Sequence, residues 1–568
     1  MSGYSVSKEK FKVSTIYQGL RILEALSATG IRSVRFALEV PFVDKVVAND
    51  LDPKAALLIR ENVYKNRVEN YVDVTCEDAI DLMHKHRLYE TRFSVVDIDP
   101  YGTASPFLDS AVQCLHDGGL LCVTSTDMAV LCGSTPGTSM GKYGAVVTKN
   151  SSPHETGLRV LLHSIQQAAS RHSRVIEPLI SLSVDFYARV FVRLWSSPGA
   201  VKSIAAKHAI CYTCSGCGAY HIQPLGHAIP GPRRVAPARG PPVGPSCAEC
   251  NSPFLVSGPL WNGPLHSRSF LRSFLDALGA APDLAKSDEV MKPPHENASV
   301  ATENGKQSDP TENNYPLVSE LLSQLPEGYS YSSGLTKPEL PTDLSHTLGT
   351  FKRIVGMCTV AYEELPDVTL CYRSDHLSAV LGTVIPPMLD LYSALLNAGY
   401  RVSSSHTDMN VFKTDAPISF IWDVFLTYRN RIKSEEGMNI DQKRLPLNEC
   451  NSDKKDHHDS DSDHDDAVNP SNYLESNRQR KRRLRRSRSG GDFERDGLQA
   501  EEVEENYRHN RHIVRAKLLS RPLNPRVDFT IHPLANPPSR VAGLIRYQMK
   551  PEKFWGPKAR PKLSKTES

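Results

Sequence analysis

Between residues 20 and 195 the chain alternates short apolar runs with longer stretches of helical periodicity. Apolar runs of strand length cover 21–26, 43–49, 71–76, 93–98, 119–124 and 180–184. Between them, apolar residues recur at the spacing of an amphipathic helix over 31–39, 53–66 and 105–115. Strands and helices that alternate in this way predict an α/β fold, in which a parallel sheet is covered by helices on both faces.

The pattern changes beyond this first domain, which we place at 1–196. Residues 197–437 are predicted to form an α+β domain that contains a Pro- and Cys-rich segment and a flexible polar insert at 282–314. Within that domain an apolar helix over 387–397 is expected to stop at Gly399. Residues 438–504 are predicted to be a disordered linker. The last segment, 505–568, regains aromatic residues, so we expect it to pack back on the second domain and to end in a polar tail.

Composition adds limits to this picture. A chain of 568 residues is too long for one hydrophobic core and predicts two to four folding units. The net charge of +3 does not by itself indicate a nucleic-acid partner. The chain has no run of eighteen apolar residues and no apolar core of a secretory signal near its start, so neither a membrane span nor a signal peptide is expected.

Two charged runs stand near the end of the chain. Eight of the eleven residues at 478–488 are basic, which is typical of a nuclear localisation signal or a phosphate-binding arm, although a tail without a partner also fits. The run at 453–466 is rich in Asp and His and fits either a solubilising spacer or weak metal binding. We expect the protein in the nucleus, with the cytoplasm or the mitochondrion as alternatives.

Parallel sheets bind ligands at the edge formed by the carboxyl ends of their strands. Three predicted strands end in residues that could contact a ligand there. The first strand runs from Glu24 through small residues to Gly30, so the backbone can approach a ligand closely. An ordinary strand–helix turn would look similar, and the GxGxxG pattern of dinucleotide sites is absent. Asp50 ends the second strand and can accept both hydroxyls of a ribose. It could instead cap the next helix, but Asp52 suits that role better and would leave Asp50 free.

The third strand end adds Asp78, which could accept the exocyclic amine of an adenine together with the backbone of Ala79. A solvated loop carboxylate is the alternative for Asp78. The three ends together favour S-adenosylmethionine over NAD as the cofactor. Arg32 would then lie near the carboxylate of this methyl donor, unless it is simply a surface arginine.

The fourth strand ends in the most specific motif of the chain, Asp97-Ile-Asp99-Pro100-Tyr101-Gly. The two aspartates point to one face of the strand, and we count Asp97 among the donor-binding residues. The lone pair of an exocyclic amine is delocalised into its base and is a poor nucleophile. The Asp99 carboxylate and the Pro100 carbonyl can accept its two N–H groups, and Tyr101 can stack on the base. Catalysis would then rest mainly on positioning, which supplies roughly 7–11 kcal/mol in well-aligned cases. An ordinary Asp-Pro turn is the alternative.

Two Cys-x-x-Cys pairs, separated by 29 residues, can bind a tetrahedral zinc ion through Cys214, Cys217, Cys247 and Cys250. Cys211 is a spare cysteine, His221 is a substitute ligand, and free buried thiols are the alternative to a metal site. The loop between the pairs carries Arg233, Arg234 and Arg239, which could contact RNA phosphates or stay solvated.

Several long motifs together resemble one family. They are ALSATGIRSVRFALE, DIDPYG, GGLLCVTSTDMAVLCG, SPHETGLRVLL, CSGCGAYH, GYRVSSSHTD, FKTDAP and FWGPKAR, and they cover nearly the whole chain except its polar inserts. On these motifs the chain resembles the tRNA guanine-26 N2-dimethyltransferases. The resemblance implies a Rossmann-like S-adenosylmethionine-dependent methyltransferase domain and an α+β domain that binds tRNA. It also implies transfer of one and then two methyl groups to the N2 atom of guanosine 26, at the junction of the D and anticodon stems.

The resemblance also assigns roles to residues. It implies that Arg32, Asp50, Asp78 and Ala79 hold the donor and that Asp99, Pro100 and Tyr101 address the base. We further expect Lys558 and Arg560 to contact the tRNA; no membrane or stable protein partner is indicated.

One segment of the family is missing. The family has an Arg-bearing motif ahead of the first strand that helps to bind the donor, but this chain starts only about twenty residues before that strand and lacks the motif. Two alternatives therefore stand beside the main hypothesis. One is a tRNA-binding or chaperone protein whose catalysis is impaired, and the other is an N2-guanine methyltransferase for another RNA position.

Overall fold

The computed structural model describes residues 19–229, 234–279, 284–292, 348–442 and 511–547. We call residues 19–196 the first region and the described residues beyond them the second region. The first region contains, in chain order, β1 (Leu20–Glu24), α1 (Ile31–Glu39), β2 (Val43–Asn49), α2 (Pro53–Lys65), β3 (Val72–Thr75), α3 (Ala79–Lys85), β4 (Phe93–Ile98), α4 (Leu108–Cys114), β5 (Leu115–Ser125), α5 (Met128–Leu131), α6 (Pro136–Tyr143), α7 (Pro153–Arg171), β6 (Arg174–Val184) and β7 (Tyr187–Ser196).

Seven strands of the first region form one sheet in the order β3-β2-β1-β4-β5-β7-β6. The five strands from β1 to β5 are parallel to one another. β1 and β4 are neighbours in the sheet, and the direction in which successive strands are added reverses between them. Open α/β sheets bind ligands at such a switch point. The predicted α/β fold with a parallel core is confirmed.

Helices cover both faces of this sheet, as the sequence predicts. On one face, residues such as Met83, Val112 and Leu161 of α3, α4 and α7 pack against the buried strands. On the other face, Val34 of α1 and Ile59 of α2 pack against β1, β2 and β3.

The far edge of the sheet differs from the prediction. The apolar run at 180–184 is the end of the eleven-residue strand β6, and β7 was not predicted. The two strands form an antiparallel hairpin, and β7 also pairs antiparallel with β5. Asp185 in the hairpin turn has φ of 52°, a left-handed conformation that tight hairpin turns require. Two antiparallel strands can be joined by a short turn without a crossover helix. The pattern of alternating strands and helices therefore did not predict this hairpin.

The second region is mixed α and β. Its elements are α8 (Pro198–Val201), β8 (His208–Cys214), β9 (Tyr220–Pro224), β10 (Gly226–Ile229), β11 (Arg234–Pro237), β12 (Phe254–Trp261), α9 (Arg268–Ala277), α10 (Ala285–Val290), α11 (Phe351–Glu363), β13 (Tyr372–Arg373), α12 (Ser374–Leu381), α13 (Met388–Asn397), β14 (Val402–Ser405), β15 (Asp408–Thr414), α14 (Ile418–Gln442) and α15 (Pro538–Val541). They form sheets β12-β8-β9, β13-β15-β14 and the hairpin β10-β11. The helix predicted at 387–397 is α13, and Gly399 follows it with φ of 88°.

Two predicted segments need correction. The insert placed at 282–314 includes α10, whose Asp288 binds Arg268 and Arg272 of α9 at 2.7 and 2.8 Å, so this part is folded by ion pairs that composition does not reveal. The linker placed at 438–504 begins inside α14, which extends to Gln442. The rest of both segments lies outside the described residues.

The described part of the C-terminal segment packs against the rest of the second region. The Arg521 guanidinium binds Asp423 of α14 at 2.8 Å, and the Asn397 side chain donates to the Thr530 carbonyl at 2.7 Å. Across the described ranges, no helix combines the length and the apolar character needed to cross a membrane.

Candidate active site

The carboxyl ends of β1, β2, β3 and β4 meet at one edge of the sheet. The backbone N–H of Ala25, after β1, donates to the carbonyl of Asp97 on β4 at 3.0 Å. Asn49, fully buried at the end of β2, donates through its side chain to the carbonyls of Ala25 and Glu77, at 3.1 and 3.0 Å. A single buried amide thus ties three strand ends together, and sequence reasoning missed it.

The turn between β1 and α1 depends on left-handed backbone. Ala28 and Gly30 have φ of 50° and 70°. A Cβ atom on Gly30 would lie 2.7 Å from the side chain of Ile59, so any larger residue would clash with α2. The turn is therefore tight, and its backbone faces the space in front of the strand ends, as the sequence predicts.

Asp50 holds this turn in place. Its carboxylate accepts the N–H of Ala28 at 2.8 Å and the N–H of Asp52 at 3.0 Å. Asp52 caps α2 through the N–H of Lys54, as expected, but the expectation that Asp50 would then be free is wrong, because both of its oxygens already bind backbone. A carboxylate has about four acceptor positions, so Asp50 keeps capacity for ligand hydroxyls.

Asp78 has a structural role of its own. It is the N-cap of α3 and accepts the N–H of Ile80 at 2.7 Å, so it is neither free nor a simple solvated loop carboxylate. Ala79, the next residue, is buried. Leu51 follows Asp50 and is 67% exposed, and its carbonyl lies 3.8 Å from the sulfur of Cys76, just before Asp78. An exposed leucine between two strand-end acids offers an apolar face for a flat ring, which the sequence analysis did not consider.

Arg32 connects the two aspartates of the fourth strand. Its guanidinium binds Asp97 at 2.6 Å and Asp99 at 2.5 Å, so it is not the surface arginine of the alternative hypothesis. A rigid planar fork of this kind fixes the direction of both carboxylates. Asp97 is 1% exposed, whereas Asp99 is 30% exposed and faces the open edge.

Two further residues complete this charged group. Arg189 on β7 binds both carboxylate oxygens of Asp97, at 3.1 and 3.2 Å. Glu24 lies buried beside Arg32, at 3.9 Å, and accepts a hydrogen bond from Ser33. Burial raises the pKa of Glu24 to about 7, although the Ser33 hydroxyl and Arg32 act in the opposite direction. Sequence reasoning missed Arg189 because it lies on the strand that was not predicted.

The tip after Asp99 places its residues as the motif suggests. Pro100 is buried, whereas Tyr101 is 90% exposed and presents its ring at the edge. Gly102 exchanges hydrogen bonds with Thr126, which follows β5, at 2.7 and 2.8 Å. The tip is therefore anchored on both sides of the exposed ring.

Behind the tip, a chain of hydrogen bonds fixes the loop. The hydroxyl of Thr103 bonds to that of Tyr143 at 2.8 Å, and Tyr143 donates to Asp127 at 2.6 Å. Lys142 pairs with the same carboxylate at 3.1 Å. Burial and the Asp127 contact raise the pKa of Tyr143, so its phenol stays protonated and acts as a donor.

The four predicted zinc ligands lie together and are buried. The sulfur of Cys214 lies 3.3 Å from that of Cys250, the sulfur of Cys217 lies 3.8 Å from that of Cys247, and all four are within 4.8 Å of one another. A tetrahedral ion with Zn–S bonds of about 2.3 Å places its ligands about 3.8 Å apart, so the four thiolates fit zinc. None of them is in a disulfide.

A second group of ligand-type side chains, His266, Glu364 and His406, does not suit a metal. The backbone N–H groups of Ser181 and Ser183 donate to the Nδ1 of His266 and the Nε2 of His406, at 3.3 and 3.2 Å. Each ring therefore carries its proton on the nitrogen that faces Glu364, where a metal would have to bind.

The predicted RNA contacts are only partly covered by the structure. Arg239 is exposed and follows β11. Arg234 begins that strand, but its side chain is not described. Arg233, Lys558 and Arg560 lie outside the described residues.

The comparison with known protein families decides the classification. The model of the N2,N2-dimethylguanosine tRNA methyltransferases matches residues 4–293 and 340–426 of this chain. The chain belongs to this family. Its likeness to the tRNA (guanine(26)-N(2))-dimethyltransferase of Mus musculus is 35% identity over 546 residues, which cover 96% of this chain and 62% of the mouse protein. The chain thus spans less than two thirds of that relative.

Two other relatives bear on the family and the fold. The dimethyltransferase of the same name from Schizosaccharomyces pombe is 34% identical, over 96% of this chain and 75% of that protein. The structure of Trm1 from Pyrococcus horikoshii with S-adenosyl-L-methionine matches with a TM-score of 0.51 at 24% identity, covering 71% of this chain and 87% of that one. This second likeness shows that the fold is shared.

Proposed function

We propose that this chain transfers methyl groups from S-adenosylmethionine to the exocyclic N2 of guanosine 26 in tRNA, first one and then a second. Family membership and the names of the relatives support the reaction. The observation that carries the proposal is the Asp99-Pro100-Tyr101 tip, which Arg32 fixes beside strand ends suited to a donor.

The donor supplies an electrophilic methyl group on sulfur when it is bound. Asp50 accepts its ribose hydroxyls with the acceptor positions that the backbone leaves open, and Leu51 packs against its adenine. Asp78 and the backbone of Ala79 bind the adenine amine. Gly30 lets the turn approach the donor. Arg32, one of whose partners is Asp97, has five N–H donors and keeps some for the donor's carboxylate.

The target base is held by the tip. The Asp99 carboxylate and the Pro100 carbonyl accept the two N–H groups of N2, which turns the lone pair of that nitrogen toward the methyl group. Tyr101 stacks on the base. A C–N bond forms as the S–C bond breaks, and the nitrogen then loses a proton to Asp99 or to water. Because N2 is hidden when the base is paired or stacked, the guanosine must leave its stack, at a cost of a few kcal/mol.

Mass spectrometry of nucleosides from tRNA that was incubated with the protein and the donor tests this function. We expect N2-methylguanosine and then N2,N2-dimethylguanosine, and neither product from tRNA with adenosine at position 26. Binding without any product would favour the tRNA-binding or chaperone alternative, and a product from the altered tRNA would indicate another position.

We propose further that the first region and residues 197–437 act as a catalytic and a tRNA-binding domain, and that the cysteine cluster holds one structural zinc ion. Metal analysis of protein purified without chelator should give about one zinc per chain, and a Cys217→Ser/Cys250→Ser variant should give none. Zinc in that variant would contradict the ligand assignment.

The location of the protein follows from the basic run at 478–488, which we propose to be a nuclear signal, although it lies outside the described residues. One relative, from Saccharomyces cerevisiae, is named a mitochondrial enzyme. A fluorescent fusion with and without 478–488 distinguishes the two locations.

A further inference from the structure

The hairpin between β6 and β7 lies at the same edge of the sheet as the catalytic tip. Ile98, the last residue of β4, pairs with Val123 of β5, and on β5 the next residue, Thr124, pairs with Arg189 of β7. Because β7 runs against β5, its first residue, Tyr187, is level with the residues that follow Asp99. Two strand spacings, about 10 Å, separate β4 from β7 at this level.

Tyr187 is on the face of the sheet that carries the catalytic carboxylates. Side chains alternate along β7: from Tyr187 to Trp195 the odd-numbered positions are half-buried and the even-numbered ones are buried. Arg189 is on the half-buried face and reaches Asp97. Tyr187, two residues earlier, therefore shares that face and lies nearer the open edge. Burial and the charges of Asp185 and Asp99 raise the pKa of the Tyr187 phenol, although Arg189 and Arg353 act in the opposite direction.

The hydroxyl of Tyr187 is not among the enclosed polar atoms of the described residues, so a ligand can reach it. Among the residues that the structure describes, no hydrogen bond to it is found, although half-buried phenols usually make one. Arg353 and Asp185, two charged residues outside the strand, are bonded to each other at 2.6 Å. A donor and acceptor that the described residues leave open, on the face that carries the catalytic carboxylates, is available to a ligand.

We propose that the Tyr187 hydroxyl bonds to the ring edge of the target guanine, at O6 or N1–H, and so sets the orientation of the base. This inference rests on the proposed function and adds a residue from β7, two strands away from the tip. Once Asp99 and Pro100 hold N2, the remaining polar groups of the extruded base need new partners. A phenol can donate to O6 or accept from N1–H, whereas the carboxylates can only accept.

A base analogue separates this role from a structural one. 2-Aminopurine keeps the N2 amine but has neither O6 nor N1–H. The experiment compares single-turnover methylation of tRNA with guanosine or 2-aminopurine at position 26, for the wild type and for Tyr187→Phe. We expect the wild type to methylate guanosine faster than 2-aminopurine. In the variant the ratio of the two rates should fall about 3- to 10-fold, which corresponds to the loss of one neutral hydrogen bond.

Tyr89→Phe is the matched control, because Tyr89 is exposed before β4, at the opposite edge of the sheet. It should keep the wild-type preference, and calorimetry should give equal donor affinity for all three proteins. An unchanged preference in Tyr187→Phe overturns the proposal even if guanosine is methylated normally. If the wild type methylates no guanosine, the proposed function itself is wrong, and the role of Tyr187 falls with it.

Discussion

Two groups of side chains both pair acidic with basic residues but differ in their access to solvent. The edge cluster consists of Glu24, Arg32, Asp97, Asp99 and Arg189, and two of its members, Arg32 and Asp99, are about one-third exposed. The interface cluster joins α7 to the second region and is fully buried; its members are Glu155, Arg159, Glu364, His406 and Lys413.

Ionic geometry alone does not distinguish the two clusters. Lys413 lies 3.0 Å from Glu155 and 3.2 Å from Glu364, within the range of 2.5 to 3.9 Å that the pairs of the edge cluster cover. Burial alone would raise the pKa of Glu364, but Lys413 and His406 bring it well below its usual value. A perturbed carboxyl group therefore marks a candidate site only where a ligand can reach it, and the side chains of the interface cluster are at most 2% exposed.

The largest effect is expected from Lys413→Met. Removing one partner of a buried ion pair leaves the other charge unpaired and costs about 3–5 kcal/mol. We expect the midpoint of urea unfolding to fall accordingly, while the affinity for the donor stays the same. Lys65→Met, which removes an exposed pair with Glu61, is the control and should cost less than about 0.5 kcal/mol. Equal effects of the two variants would show that the interface cluster contributes little.

Asp99→Asn should affect the reaction rather than the stability. It keeps the shape of the side chain but removes the charge, and we expect the methylation rate to fall about 10²- to 10³-fold, as when one preorganised polar group is lost. Single-turnover assays measure the rate, and calorimetry with the donor should show little change. A near-normal rate would remove Asp99 from the mechanism.

Asp50→Asn is the matching change on the donor side. It should weaken donor affinity first, because Asp50 both holds the turn at Ala28 and faces the ribose in our proposal. Calorimetry that shows unchanged donor affinity would contradict the ribose role. If Asp50→Asn weakens donor affinity and Asp99→Asn lowers the methylation rate, donor binding and base binding depend on different residues of the same sheet edge.

The edge cluster was easier to predict than the interface cluster, and the reason is its position in the chain. Parallel strands meet at their carboxyl ends, so Asp97 and Asp99 of this cluster could be placed at one edge with Asp50 and Asp78 from strand ends alone. The bounds of α1 and the zinc ligands also follow from local spacing. Glu155 and Lys413, by contrast, are 258 residues apart, and no local pattern brings them together.

The missed residues of the edge have a similar explanation. Arg189 and Tyr187 depend on an antiparallel hairpin, which the expectation of a parallel sheet excluded. The alternation in Tyr187-Ala-Arg-Val-Phe-Val-Arg-Leu-Trp was a strand signal that could have revealed them. The ion pairs of Arg32 with Asp97 and Asp99 could not be predicted. Sequence spacing places a residue near a site but does not show which carboxylate it binds.

Glu24→Gln tests the half of the edge cluster that is hidden from solvent. The pKa of Glu24 is raised from 4.5 to about 7, so the folded state binds more protons than the unfolded state between these values. Stability should therefore fall as the pH rises from about 4.5 to 7, by at most about 3 kcal/mol, and then level off. The glutamine variant should lose this dependence and be the more stable protein at pH 8.

Urea unfolding at several pH values between 4 and 8 measures the effect. Coinciding profiles for the wild type and the variant would mean that Glu24 titrates normally. Because its partner Ser33 can also donate to a glutamine, the comparison isolates the charge.

The smallest effect concerns a charged surface that belongs to neither cluster, the loop with Arg233, Arg234 and Arg239. Each phosphate contact adds about one unit to the slope of log K against log salt for RNA binding. If these arginines hold the tRNA while its base leaves the stack, their triple alanine variant should lower that slope by up to about 3. Titrations of tRNA at several salt concentrations give the slope, and the affinity for the free donor should not change.

The control is a triple variant of exposed arginines in the first region, namely Arg60, Arg67 and Arg87, all changed to alanine. If the effect came only from lost positive charge, the slopes of both triple variants would fall equally. If the loop arginines contact phosphates, only the slope of the loop variant should fall. Equal slopes for the loop variant and the wild type would show that the loop does not touch the phosphates. The basic run at 478–488 would then be the next segment to neutralise, because it is the densest positive charge in the chain.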